Sequence, residues 1–326
     1  MKNRSEHAII LSCNPGYGFG MMASMNAQNY FGTDADWEIA YEDYTDEERR
    51  KISDAFPFNV EWTHVSDLMK TVVDRREKDK SVGPLNRFWL AYWLMAHKVL
   101  KEGKYKSVCV IQADQFVFVN LDKYFAMSDK GMLVCSEHSF TGIKVADMFF
   151  GDDKAIWDRG VCPIFDSVNF IGQSHIQFPR DIVEFQCEDA FKGESSHSVI
   201  ALNRSLLRHG TKETAIGLPG REWACDSIWG DFRIEEKPDK IIIAGDGSQL
   251  KSWHARWWQK GRVASEWHNN YASIMDSPTA IRHENAFYNY QLVKKFMEGF
   301  NNMTPSVRSE EFEHDDVTLD RFRREK

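Results

Sequence analysis

Three stretches of this chain hold residue types that could do chemistry. The first is Ser107 to Phe125, where the apolar run Val108-Cys109-Val110-Ile111 breaks at Gln112, Ala113 and Asp114 before apolar residues resume at Phe116. A short run of β-branched residues reads as a strand buried on both faces. A carboxylate just past the end of such a strand stands where open α/β sheets place their ligands. Gln112 offers a neutral carbonyl oxygen and no charge. The plain alternative is an Asp that only ends a strand. The second stretch is Ser12 to Gly20, a polar loop with Gly16, Gly18 and Gly20 between an apolar run and a helical one. A strand, a glycine-rich loop and a helix make a nucleotide-binding opening. The loop has neither the GxGxxG of a dinucleotide site nor the Lys of a phosphate-binding loop, and its glycines could serve backbone geometry alone. The third is Lys251 to Arg262, where lysines and arginines alternate with Trp253, Trp257 and Trp258. Such a pattern can track a phosphate backbone and stack bases, which admits a nucleic-acid acceptor.

The elements that must position these residues follow from periodicity. Ala8–Leu11 reads as a first strand and Met21–Tyr30 as the helix after the loop. Trp37–Tyr41 reads as a second strand, with Glu42, Asp43 and Tyr44 at its end, and Phe58–Trp62 as a third. Thr45 to Arg50 is a capped helix start, with acids early and bases later as the helix dipole favours. Leu85 to Leu100 is the clearest helix, with Leu85, Phe88, Trp89, Tyr92, Ala96 and Val99 recurring at three and four, and Gly103 as its stop. Met132–Cys135 and Lys240–Ala244 read as strands. The stretch 136–194 yields no element assignment and is a place for functional residues on loops. Strand and helix in alternation predict an α/β fold with a mostly parallel sheet flanked by helices. A single domain is expected over 1–300, with a first half to about 135 and a second half, 136–300, beyond. A helix or two from Asp276 to Phe300 would close it, and 301–326 reads as a charged tail or helix.

At 326 residues with net charge −8, no global field favours nucleic acid or an anionic membrane. The 6 cysteines are scattered, without the spacing of a zinc site or a redox pair, which reads as free thiols in a reducing compartment. The first residues run from charge straight into a strand, with no signal-peptide pattern, and no apolar run is long enough to span a bilayer. A cytoplasmic protein without a membrane span is the expectation. The 11 Trp, 22 Phe and 10 Tyr suit core packing first and carbohydrate faces second.

The Ser107–Phe125 stretch resembles the nucleotide-sugar signature of the GT-A glycosyltransferases, in particular the glycogenin and galactosyltransferase-like group (family 8-like). That signature is a buried strand, Asp-x-Asp, a second apolar run and a Leu-x-x-Phe or Leu-x-x-x-Phe close. Gln112-Ala113-Asp114 stands here for Asp-x-Asp. The resemblance implies a Rossmann-like GT-A fold, with the first half, to about 135, as its donor half and 136–300 as its acceptor half. It also implies transfer from a nucleoside diphosphate sugar, with UDP favoured, to a hydroxyl acceptor (a glycan, a protein or a nucleic acid), with retention. It implies a divalent metal, manganese or magnesium, at Asp114, whose binding the neutral Gln112 weakens. Gln112 would sooner bond ribose or sugar. By the same resemblance Asn14 and Tyr17, with Ser12 beside them, lie against the nucleobase, and Arg87 reaches the pyrophosphate. Its alternative is a surface Arg. Ser196–Asn203 resembles the strand beside the sugar site, so that His197 could bond a sugar hydroxyl or be merely structural. Asp226 could orient an acceptor hydroxyl or act as general base, or only cap the next helix. The end of the 240–244 strand followed by Lys251 and Trp253 resembles the family's late His-x-x-Gly-x-x-Lys-Pro-Trp segment. Lys251 would then lie on the diphosphate, and Asp246 or His254 would supply the last metal ligand. The loss of the first Asp keeps a second possibility open, a non-catalytic nucleotide-sugar-binding or scaffold protein.

Overall fold

The first strand, β1 (His7–Cys13), is apolar along both faces because both are covered: Ile9, Leu11 and Cys13 enter one core and Ala8 and Ile10 the other. The computed structural model describes residues 2–15, 18–76, 87–113, 115–137, 164–191, 198–211, 213–223, 225–226, 235–236, 238, 242–243 and 249–254. Within them β2 (Asp36–Tyr41) and β3 (Val60–His64) lie parallel on one side of β1, and β4 (Ser107–Ile111) lies parallel on the other. Beyond β4 the sheet is mixed. Its order is β3-β2-β1-β4-β7-β6-β8, with β6 at Leu133–Glu137, β7 at Ile164–Gly172 and β8 at Ala215–Leu218. β7 runs antiparallel to both neighbours, and β6 and β8 are parallel. The expected mostly parallel sheet with flanking helices is observed.

One core packs α1 (Gly18–Phe31), Ile52 of α2 (Asp46–Ala55) and α5 (Asp122–Asp129) on one face. The other packs α3 (Val65–Arg76), α4 (Arg87–Lys101), α6 (Gln177–Phe191) and α7 (Ser198–His209) on the opposite face. The sequence-predicted ends of α2 and α4 hold. Thr45 caps α2 in a capping box, with Glu48 N–H donating to Thr45 Oγ1 at 3.2 Å and Thr45 N–H to Glu48 Oε2 at 2.9 Å. Thr45→Ala is expected to cost about 1 kcal/mol, read as a lowered urea midpoint at unchanged slope. Gly103 ends α4 at φ 65, and its N–H reaches Leu100 O at 2.9 Å.

Two sequence expectations are corrected. Residues 198–203 are not a strand but the start of α7, which buries Val199, Ala201, Leu202 and Leu206, and Asn203 Nδ2 donates to Val199 O at 2.8 Å one turn back. The strand beside β4 is instead β7, with Asn169 opposite Val110, in the stretch that carried no assignment. The expected strand at 240–244 is described at β11 (Ile242–Ile243), which pairs antiparallel with β10 (Glu235–Glu236). Residues 276–300 and 301–326 lie outside the described residues. No helix among the described residues is long and apolar enough to cross a membrane.

Candidate functional site

The chain leaves the main sheet at the end of β4 and enters a second, smaller one. Gln115 N–H donates to Gln112 O at 3.1 Å across the turn between them. β5 (Gln115–Val117) is then an edge of a three-stranded sheet in the order β5-β12-β9, with β12 at Ser252–His254 and β9 at Cys225–Asp226. The pairings bring distant parts of the chain into one row. His254 lies opposite Gln115 in the antiparallel β5–β12 pair and beside Asp226 in the parallel β12–β9 pair. The backbone therefore lines up 115, the residue after Asp114, with 254 and 226. Phe116 and Trp253, opposite each other, are buried and stacked at 5.9 Å, which holds the register. Gln115 Nε2 donates to Ser252 Oγ, and Ser252 Oγ donates to Trp223 O at 2.6 Å. From the other side α1 supports β5, Ser24 Oγ donating to Gln115 O at 2.8 Å and Gln28 Nε2 to Val117 O at 2.6 Å.

A second group forms at the carboxyl ends of β1 and β2. Ser12, nearly buried, donates through Oγ to Phe88 O at 2.8 Å and so ties the first turn of α4 to the end of β1. Arg87, the residue before Phe88, faces Glu42 at the end of β2, with Nη1–Oε1 at 3.1 Å and Nη2–Oε2 at 3.4 Å. Glu42 N–H donates to Cys13 O at 3.2 Å, and Tyr44 OH donates to Asn14 O at 3.2 Å. Between them Asp43 sits at φ 61, an uncommon place for a residue with a side chain. Asn14 Oδ1 is buried without a hydrogen-bond partner among the described residues, so it has capacity to accept one. Burial pushes the Cys13 thiol up to about 12, despite its contact with the Tyr44 hydroxyl, so it stays protonated and unreactive.

No protein-family model matches the sequence, and no curated protein sequence matches it. Among solved structures the chain is similar to the apo form of the bifunctional glycosyltransferase WbbM, with a TM-score of 0.51 and 9% identity. That match covers 86% of this chain and 52% of WbbM, so the chain spans about half of that protein's length. The fold is that of the GT-A glycosyltransferases. Looser likenesses are to mouse xyloside xylosyltransferase 1 (TM-score 0.49, 9% identity, 77% of this chain and 97% of that one) and to the galactosyltransferase LgtC (TM-score 0.46, 12% identity, 86% and 95%).

Seen against the GT-A sheet, the expected residues fall into three sets. Ser12, Asn14 and Arg87 come together at the ends of β1 and α4, and half-buried Gln112 opens the turn after β4. Asp226 and His254 come together through their strands' pairing. Tyr17, Asp114, His197 and Asp246 lie outside the described residues. Lys251 comes after β11 in the chain and leads directly into β12. Its Nζ is paired with Glu222, and its backbone N–H donates to Glu222 O at 2.8 Å. Trp253 is core, which leaves its ring no face for a base. A divalent ion, if bound, would be held by the expected carboxylates Asp114 or Asp246, which suit manganese or magnesium, with His254 as the further candidate. Among the described residues no group of three His, Cys, Asp or Glu gathers for a metal. Glu42 and Gln115 had no role in the sequence reading. The signal available for Glu42 was its place at a strand's carboxyl end, the same as for Asp114.

Proposed function

We propose that this chain is a glycosyltransferase that moves a sugar from a nucleoside diphosphate sugar, UDP-sugar favoured, to a hydroxyl acceptor with retention. The observation that carries the reading is the row 115–254–226. Without it His254 and Asp226 would be unrelated residues; with it they stand beside the motif turn at the end of β4. Asp114 and His254, with Asp246 a further candidate, would hold a divalent ion that offsets charge on the diphosphate leaving group. Arg87 binds the diphosphate with its planar fork. Asn14 accepts from the nucleobase through Oδ1, with Tyr17 against its face and Ser12 holding the floor. Gln112 bonds ribose or sugar, and His197 a sugar hydroxyl. Asp226 orients the acceptor hydroxyl or takes its proton. Lys251 reaches the diphosphate only by leaving Glu222, which makes it the weakest member of the set.

The test is a thermal-shift screen of nucleoside diphosphate sugars, with and without manganese, on wild type and Asp114→Ala. A matching donor at roughly 100 times its Kd should raise the melting temperature by about 4 °C. That rise should vanish in Asp114→Ala. No rise with any donor would sink the reading. A rise without donor hydrolysis or transfer would favour a binding protein, to which the neutral Gln112 lends itself.

A further inference from the structure

We propose that Glu42 is a gate on the anion site. In the free protein its carboxylate occupies the fork of Arg87 that the donor diphosphate takes in the complex. The inference rests on the reading that Arg87 binds the diphosphate.

Several features point to this pair as built and not incidental. The two contacts, at 3.1 and 3.4 Å, run side by side between both carboxylate oxygens and both terminal nitrogens, the arrangement in which a guanidinium also meets a phosphate. Both partners are anchored to the same strand end. Glu42 is held by its N–H to Cys13 O, and Arg87 precedes Phe88, whose carbonyl takes the Ser12 hydroxyl. The chain turns away after Glu42 through Asp43 at φ 61, and Tyr44 returns to Asn14. A residue held in the left-handed region at a ligand edge is where fixed geometry serves a site. The pair is also lopsided in exposure. Glu42 is 14% exposed and Arg87 56%, so the carboxylate is set in the wall while the guanidinium faces solvent and can turn to an incoming anion.

A carboxylate in that place does two things. It neutralises Arg87 in the free protein, so a weakly charged anion gains little by displacing it, while a diphosphate brings more charge and more acceptor oxygens. After transfer it retakes the fork as the nucleoside diphosphate leaves, which opposes product retention.

The experiment is calorimetric titration of inorganic pyrophosphate into wild type, Glu42→Gln, Arg87→Gln and the double variant. Ion pairs this exposed are modest, so Glu42→Gln should tighten pyrophosphate binding about three- to fivefold. Arg87→Gln should weaken it, and the double variant should bind no better than Arg87→Gln alone. Unchanged or weaker binding in Glu42→Gln, with Arg87→Gln still weakened, overturns the gate and leaves the phosphate role of Arg87 in place. If Arg87→Gln binds pyrophosphate as wild type does, Arg87 is not the phosphate ligand and both readings fall.

Discussion

His254→Ala is expected to cut glycosyl transfer about 100- to 1000-fold at a fixed manganese concentration, the scale of several kcal/mol of leaving-group stabilisation. The expectation comes from register. β12 is only Ser252–His254, and its docking is fixed by Trp253 on Phe116 and by the Gln115–Ser252 bond. Those contacts leave position 254 opposite Gln115, one residue from Asp114. A ligand lost from a metal site weakens the metal before it weakens the fold. The loss should therefore be relieved in part by raising manganese, and the melting temperature without metal should stay near wild type. The control is Trp253→Ala, which empties a fully buried place and should cost about 3–5 kcal/mol of stability. A His254→Ala protein that melts early and shows no manganese rescue would make His254 a packing residue and return the ligand role to Asp246.

What the sequence showed and what it hid divide by range of interaction. β1 and β4 were legible because each is a short apolar run with a turn at its end, and α4 because its apolar residues recur at helical spacing. β7 was not, since Ser167 and Asn169 are polar yet fully buried, so the strand has neither an apolar run nor clean alternation. Ser167 Oγ donates to Trp223 O at 3.4 Å and meets Ser136 Oγ at 2.7 Å, partners far away in the chain. The start of α7 was misread for the opposite reason. Val199 to Leu202 is a four-residue apolar run that fits a strand as well as a helix, and only Leu206 and Leu207 extend the helical period. At the site, its place past the end of β4 marked Asp114 as a candidate, while Ser12 and Asn14 were marked by the family resemblance. The Glu42–Arg87 pair, the row through 254 and the pairing of Lys251 with Glu222 join segments that no local pattern connects.

Lys104→Met is expected to be the most destabilising charge change among the described residues, and its cost should depend on pH. Lys104 precedes β4, the strand that leads to the motif turn, and braces its foot to β2 and β3. Its Nζ lies 2.5 Å from Glu38 Oε1 and 2.7 Å from Glu61 Oε2, and Tyr105 OH donates to Glu38 Oε1 at 2.8 Å. Glu38 is 2% exposed. Burial pushes its carboxyl up from the ordinary range, and hydrogen bonding to Lys104, its charge, and the bond from Tyr105 pull it part of the way back. Without Lys104 the buried carboxylate keeps one donor and no counter-charge, a loss of about 3 kcal/mol or more near neutral pH. The sign follows from the proton. A carboxyl whose folded pKa is raised binds its proton more tightly in the folded state than in the unfolded one, and Lys104→Met raises it further. Stability linked to that proton is fully present below the unfolded pKa and is lost as pH rises through the folded pKa. Urea unfolding should therefore show the variant close to wild type at about pH 4 and far below it at about pH 8. Adding Glu38→Gln should restore much of the loss at the higher pH, because the double change removes both charges and leaves no buried carboxylate without a partner. An equal deficit at both pH values, or a double variant as weak as Lys104→Met alone, would assign the effect to the packing of the lysine stem and not to the charge it covers.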